Sequence, residues 1–213
     1  MPHIEIPAPV PGIRGLMASK PASGRRMSEL AEQLLRGESP LSVGERELIA
    51  AFVSYRNQTR YCTGSHTAAA AHALGGDYEL VEAVKRDPAS APVSERMRAL
   101  LAIAGKVQGD AREVGEEDVV AARAAGADDE AIHDTVLIAA AFCMFNRYVD
   151  GLAAITPEDP AAYGYLVRTR EALSRTGADG PGVRRARRVA GQASRTMAVT
   201  PAMNQPEAPC SPR

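Results

Sequence analysis

Glu47, Cys62 and His66 are the residues of this chain whose types and spacing could carry out redox or proton-transfer chemistry. In Tyr61-Cys62-Thr63-Gly64-Ser65-His66 a thiol precedes an imidazole by four residues. On a helix that spacing puts both side chains on one face, one turn apart. A helix starting near Thr59 places the thiol in its first turn, where unpaired backbone N–H groups and the helix dipole favour a thiolate. Thiol and imidazole could then share a proton, directly or through water. Glu47 lies about three turns back on the preceding helix, and it faces His66 if the motif helix folds back alongside. A carboxylate so placed would orient the imidazole and stabilise its charge. Such a thiolate suits attack on the O–O bond of a peroxide, giving a sulfenic acid and water or an alcohol. Two plainer readings stand beside this one. A buried cysteine often serves as a small hydrophobe, and a His–Glu pair between helices is as often a structural ion pair.

The elements that must position these residues read as helices throughout. Ser42-Val43-Gly44-Glu45 is a capping box opening a helix to about Asn57, with Leu48, Ile49, Phe52 and Val53 apolar. The motif helix runs from about Thr59 to Leu74 and stops at Gly75-Gly76, with Thr59 as its cap. Asp77 caps a short helix ending before Pro88, and Ser94 caps another carrying Met97, Leu100, Leu101, Ile103 and Val107. Residues 116–125 form a short helix with acids at its start. The longest candidate, 128–155, is apolar nearly all round in its middle, which marks a buried central helix or an oligomer interface. Residues 158–173 read as the last helix.

The ends differ from this middle. Residues 1–25 are rich in proline and glycine and read as an extended leader, with Ile13, Leu16 and Met17 as anchors and a short helix capped by Ser28 after it. Beyond Ser174 the chain has Gly, Pro, Ser and Thr without apolar periodicity, and it carries Arg184-Arg185-Ala186-Arg187-Arg188. Residues 174–213 therefore read as a disordered basic tail, leaving 26–173 as the folded domain. Hydrophobic content is 45%, enough for a core, while aromatics at 4% and abundant alanine suit close-packed helices better than a β-sandwich. A formal net charge of −1 argues against nucleic acid or a membrane surface as partner. The apolar run Val136 to Phe145 is too short to span a bilayer, and prolines interrupt any signal-peptide core. Three cysteines, Cys62, Cys143 and Cys210, make no disulfide framework and point to a reducing, cytoplasmic setting.

The run from Glu45 to Asn57, followed by Tyr61-Cys62 and Gly64-Ser65-His66, resembles the carboxymuconolactone decarboxylase family. Within that family the similarity is to the alkylhydroperoxidase AhpD-like, peroxidase-related branch. Pro11-Gly-Ile-Arg-Gly-Leu16 and Phe142-Cys-Met-Phe-Asn146-Arg147 resemble the same branch, so the likeness spans about residues 10–172. It implies an all-α helical bundle, a homo-oligomer (a trimer or a multiple of one), and no bound metal or organic cofactor. Redox members use a glutamate, a Cys-x-x-Cys pair and a histidine. Glu47, Cys62 and His66 match the glutamate, the second cysteine and the histidine.

The first cysteine of that pair falls on Thr59, so the usual dithiol cycle is excluded in this chain. A sulfenate on Cys62 would need another thiol. An external thiol reductant is the default; Cys143, one turn before Asn146 and Arg147, is an internal candidate, and nothing directs Cys210. Tyr61, Asn146 and Arg147 are supporting positions, with Arg147 able to pair with Asp150. His72 and His133 read as surface or core polar groups, and no ligand pair has a diagnostic metal spacing. The leading expectation is a thiol-dependent peroxidase acting through Cys62, with His66 as acid/base and Glu47 orienting it. The alternatives are a decarboxylase, lyase or isomerase using Glu47 and His66 on a small organic acid, and a non-catalytic redox sensor.

Overall fold

Helix α3, Val43–Arg56, is the axis of the molecule, and the reason is visible in its composition. Its capping box forms as expected: the Ser42 hydroxyl accepts from the Glu45 amide, and the Glu45 carboxylate accepts from the Ser42 amide. From Arg46 to Ser54 every residue is buried. Alanines at 50 and 51 let neighbouring helices approach closely on all sides. The computed structural model describes residues 1–6 and 10–164, and no strand occurs among them.

The other helices are α1 (Ile13–Ser19), α2 (Pro21–Arg36), α4 (Arg60–Ala73), α5 (Tyr78–Arg86), α6 (Glu95–Asp110), α7 (Glu116–Ala124) and α8 (Asp129–Gly151). Asp77, Ser94 and Asp128 cap α5, α6 and α8 with their side chains. Helices α3 and α4 form an antiparallel hairpin. Gly44 at the start of α3 lies against Leu74 just after α4, and the turn between them passes through Gln58 at φ +59°. Phe52, Leu100, Leu101, Ile138 and Phe142 fill the main core between α3, α6 and α8. A second, smaller cluster joins Leu16, Tyr61, Cys62, Val149, Ala154 and Tyr163.

Three expectations change. Residues 13–19 and 21–36 are helical where an extended leader and a helix start at Ser28 were expected. Pro21 occupies the first position of α2, where its missing N–H costs nothing. Gly12, at φ +64°, lets the chain turn into α1; Ser28 lies within α2. The long helix α8 is not the central one. It buries one face and leaves Leu137 and Met144 exposed at 39% and 47%, the central place being taken by α3. Its end comes at Gly151 rather than at 155. The chain divides into a compact unit, Met1–Thr169, and residues 170–213. Residues 158–160 are not helical and 161–164 are, so the expected last helix starts later than 158; its part beyond 164, the basic tail and Cys210 lie outside the described residues.

The leader is stitched to the segment after α8: the Gly12 amide donates to the Ile155 carbonyl at 2.7 Å and the His3 amide to the Leu152 carbonyl at 3.1 Å. A Cβ on Gly12 would stand 2.1 Å from the ring of Tyr61. Gly12→Ala should therefore lower stability by about 2 kcal/mol, from overpacking plus backbone strain. Chemical denaturation checks the loss. Faster proteolytic nicking within the first twenty residues should accompany it.

Candidate functional site

The α3–α4 hairpin brings Glu47 and His66 together. Glu47 is 1% exposed, and its Oε2 lies 2.6 Å from Nδ1 of His66. Its other oxygen accepts from Nη2 of Arg36, the last residue of α2. Burial pushes the Glu47 carboxyl up, but the charges and hydrogen bonds of His66 and Arg36 outweigh it and hold the carboxyl below the ordinary 4.5. Because a carboxylate only accepts, Nδ1 of His66 carries the proton toward Glu47, and Nε2 is left for other chemistry. Phe142 of α8 packs its ring edge-on against the imidazole, with centroids 4.6 Å apart. Arg36 was not found by sequence reasoning. A basic residue in the last turn of a helix is common, and nothing local ties it to a glutamate eleven residues later.

Cys62 occupies the third position of α4 as expected, but its environment reverses the expected effect. The thiol is 3% exposed, closed in with Leu16, Tyr61, Val149 and Tyr163. Burial pushes its pKa from 9.0 up to about 12; a hydrogen bond from Asn146 opposes the rise and the charge of Asp150 adds to it. A helix terminus contributes about 0.3–1 kcal/mol. The rise from 9.0 to about 12 corresponds to about 4 kcal/mol. Burial wins, and the resting thiol holds its proton.

The supporting positions divide. Thr59 stands at the N-cap of α4 but makes no side-chain cap. Its fully buried hydroxyl donates instead to the Asp150 carboxylate. Asn146 is fully buried and accepts from Asn57 at 2.8 Å. Cys143 is half-buried, with the Asn57 amide 3.6 Å from its sulfur. Tyr61 packs its ring at the Gly12 backbone and edge-on to Tyr163. Arg147 does not pair with Asp150; it donates to the Cys143 carbonyl on its own helix at 3.0 Å. His72 and His133 lie at the surface. Asn57 and Gln108, which sequence reasoning left without a role, join the Asn146 cluster. Among the described residues no three His, Cys or carboxylate groups converge to hold a metal ion, and no helix is long and apolar enough to cross a membrane.

Residues 21–106 match the model of the carboxymuconolactone decarboxylase family. Among solved structures, the chain is similar to a peroxidase-related protein from Silicibacter sp. TM1040, described as uncharacterized, at 31% identity and a TM-score of 0.66. That alignment covers 73% of this chain and 79% of the other. An alkylhydroperoxidase AhpD core from Ralstonia eutropha JMP134, also described as an uncharacterized peroxidase-related protein, shares the fold. It aligns with a TM-score of 0.69 at 24% identity, over 76% of this chain and 94% of that one. A protein of unknown function from Agrobacterium tumefaciens does so at 0.60 and 19%, over 68% and 97%. No curated protein matches.

Two outcomes follow from the ionisation of the site. The lowered Glu47 pKa means its pairing adds stability above about pH 4.5, lost as pH falls through the folded-state value. Glu47→Gln should cost about 3 kcal/mol near neutral pH, the low end for a broken buried pair because Arg36 stays 28% exposed. Urea midpoints across the acid range should fall less steeply in the variant than in the parent. Alkylation of Cys62 by iodoacetamide should rise about tenfold per pH unit and keep rising beyond 9.0, with no plateau there. Mass spectrometry of the Cys62 peptide reads that rate directly.

Proposed function

The chain belongs to the carboxymuconolactone decarboxylase family, among its AhpD-like, peroxidase-related members, and on that premise we propose that it is a thiol-dependent peroxidase acting through Cys62. The observation that carries the proposal is the buried Glu47–His66 pair, anchored by Arg36, one helical turn from the thiol. Nε2 of His66 takes the Cys62 proton as the sulfur attacks the distal oxygen of a hydroperoxide. The O–O bond breaks, the imidazolium gives its proton to the departing alkoxide, and the products are a Cys62 sulfenic acid and an alcohol. Glu47 keeps Nδ1 protonated and stabilises the transient imidazolium. Thr59 supplies no sulfur. An external thiol reductant therefore attacks the sulfenic acid, releasing water, and a second thiol frees Cys62 from the mixed disulfide. A reducing, cytoplasmic compartment supplies such thiols. Self-assembly belongs to the same proposal, since α8 leaves Leu137 and Met144 uncovered on one face.

One observation favours a second reading. A thiol held protonated by burial leaves Glu47 and His66 as a complete proton-transfer pair without it, suited to a small carboxylated substrate. Peroxide consumption by Cys62→Ser and His66→Ala separates the two. We expect turnover to disappear in Cys62→Ser and to fall roughly 10²–10⁴-fold in His66→Ala. Peroxide turnover that survives in Cys62→Ser would sink the peroxidase reading. Proton exchange on an organic acid, kept in Cys62→Ser and lost in His66→Ala, would establish the second. A trapped Cys62 sulfenic acid without turnover would instead mark a sensor.

A further inference from the structure

A line of polar side chains runs from the surface to the sulfur of Cys62, and its direction is fixed from the outer end. The exposed Arg56 donates from Nε to Oε1 of Gln108 at 2.8 Å. A guanidinium only donates, so the Gln108 amide must turn its oxygen outward and its nitrogen inward. Nε2 of Gln108 donates to Oδ1 of Asn57 at 2.9 Å. Nδ2 of Asn57 then donates to Oδ1 of Asn146 at 2.8 Å and reaches Sγ of Cys143 at 3.6 Å. Nδ2 of Asn146 donates to the Ser54 hydroxyl at 3.2 Å, and Asn146 also makes the hydrogen bond on Cys62. All three amides point the same way, and Asn57 directs one N–H to the Cys143 sulfur.

We infer that this amide line is a sulfur-anion-stabilising device, in which Asn146 donates to Cys62 and Arg56, Gln108 and Asn57 hold Asn146 in its donor orientation. Reversed, Asn146 would present its carbonyl oxygen, which only a protonated thiol can satisfy. The other groups facing the sulfur are Asp150 of α8, Tyr61 of α4 and Tyr163 beyond α8, with His66 one turn along α4. Asp150 opposes an anion, and the two buried tyrosines keep their protons, burial pushing both up. Donation from Asn146 is the contact that favours negative sulfur. Asn146 therefore touches the reacting atom, while Arg56, Gln108 and Asn57 are positioning residues. The inference rests on reading Cys62 as the nucleophile, but it is measured on the sulfur itself and not on peroxide turnover.

The test is the rate and pH profile of Cys62 alkylation in the full-length protein, read by mass spectrometry of the Cys62 peptide. Gln108→Leu should slow alkylation roughly threefold at a given pH. A displacement of the profile by one pH unit removes about tenfold of the thiolate, and the less stabilised sulfur regains about threefold in nucleophilicity. Arg56→Glu can only accept, so it should reverse the amide line and slow Cys62 to a similar degree. That slowing should persist in about 1 M salt, where a through-space charge effect is screened. Arg56→Lys, which keeps a donor, should recover the rate relative to Arg56→Glu. Arg56 is exposed and Gln108 half-buried; the Arg56 guanidinium also lies over the Phe52 ring, a contact that Gln108→Leu leaves in place. Parental rates and profiles in Gln108→Leu and Arg56→Glu overturn the inference. So does an Arg56→Glu effect that vanishes in high salt while Gln108→Leu behaves as the parent. Absent peroxide turnover with these rate differences intact overturns the peroxidase reading alone.

Discussion

Burying the Glu47 carboxylate is the constraint around which the helices are arranged. A charge that is 1% exposed costs several kcal/mol unless partners compensate it, and the two partners come from different helices. Arg36 must arrive from the end of α2, and His66 from the second turn of α4. The antiparallel register of α3 and α4 is thereby narrowly set. A slip of one turn, about 5.4 Å, would place Cys62 or Ala70 opposite Glu47 and leave the charge half compensated. The same requirement fixes α8, because Phe142 packs on the imidazole that Glu47 holds.

A different constraint governs the sulfur end of the site. Cys62 belongs to the second cluster, not to the main core, and that cluster is closed by Leu16 of α1, Gly12 just before it and Tyr163 from the segment after α8. At Thr59 the sequence does more than omit a thiol. Its buried hydroxyl holds the Asp150 carboxylate, and Asp150 in turn disfavours negative charge on Cys62. Thr59 and Asp150 thus form a polar pair that resists ionisation of Cys62.

Much of this was legible in the sequence wherever the physics is local. The caps Ser42, Asp77 and Ser94 depend on residues within one turn, and each forms as read. The family resemblance supplied Glu47 and His66, and the structure pairs them. Helix α1 and the first half of α2 were hidden because proline and glycine were read as breakers, although Pro21 and Gly12 stand where a helix begins. The burial of α3 was concealed by alanines, whose small side chains give a weak apolar signal but permit close approach. Arg36, Gln108 and the contact between Thr59 and Asp150 are long-range, and no spacing announces them. The effect of a helix terminus on Cys62 is local and small. It is outweighed by a covering that only the tertiary fold supplies.

The two settings at Cys62 are of unequal size, and their difference specifies what the chemistry requires. Burial, with the charge of Asp150, disfavours the thiolate by about 4 kcal/mol even after the Asn146 contribution is included. A hydrogen bond to a charged group is worth about 1.5–3 kcal/mol, so the amide line narrows the gap without closing it. A standing thiolate is therefore not what this site offers a peroxide. In the proposed reaction the proton must leave as the sulfur attacks, and the acceptor must already be neutral at its free nitrogen. Glu47 decides which nitrogen that is, because holding Nδ1 as the donor toward itself leaves Nε2 as the free one. The buried carboxylate that sets the helix register thus also determines which atom can receive the proton.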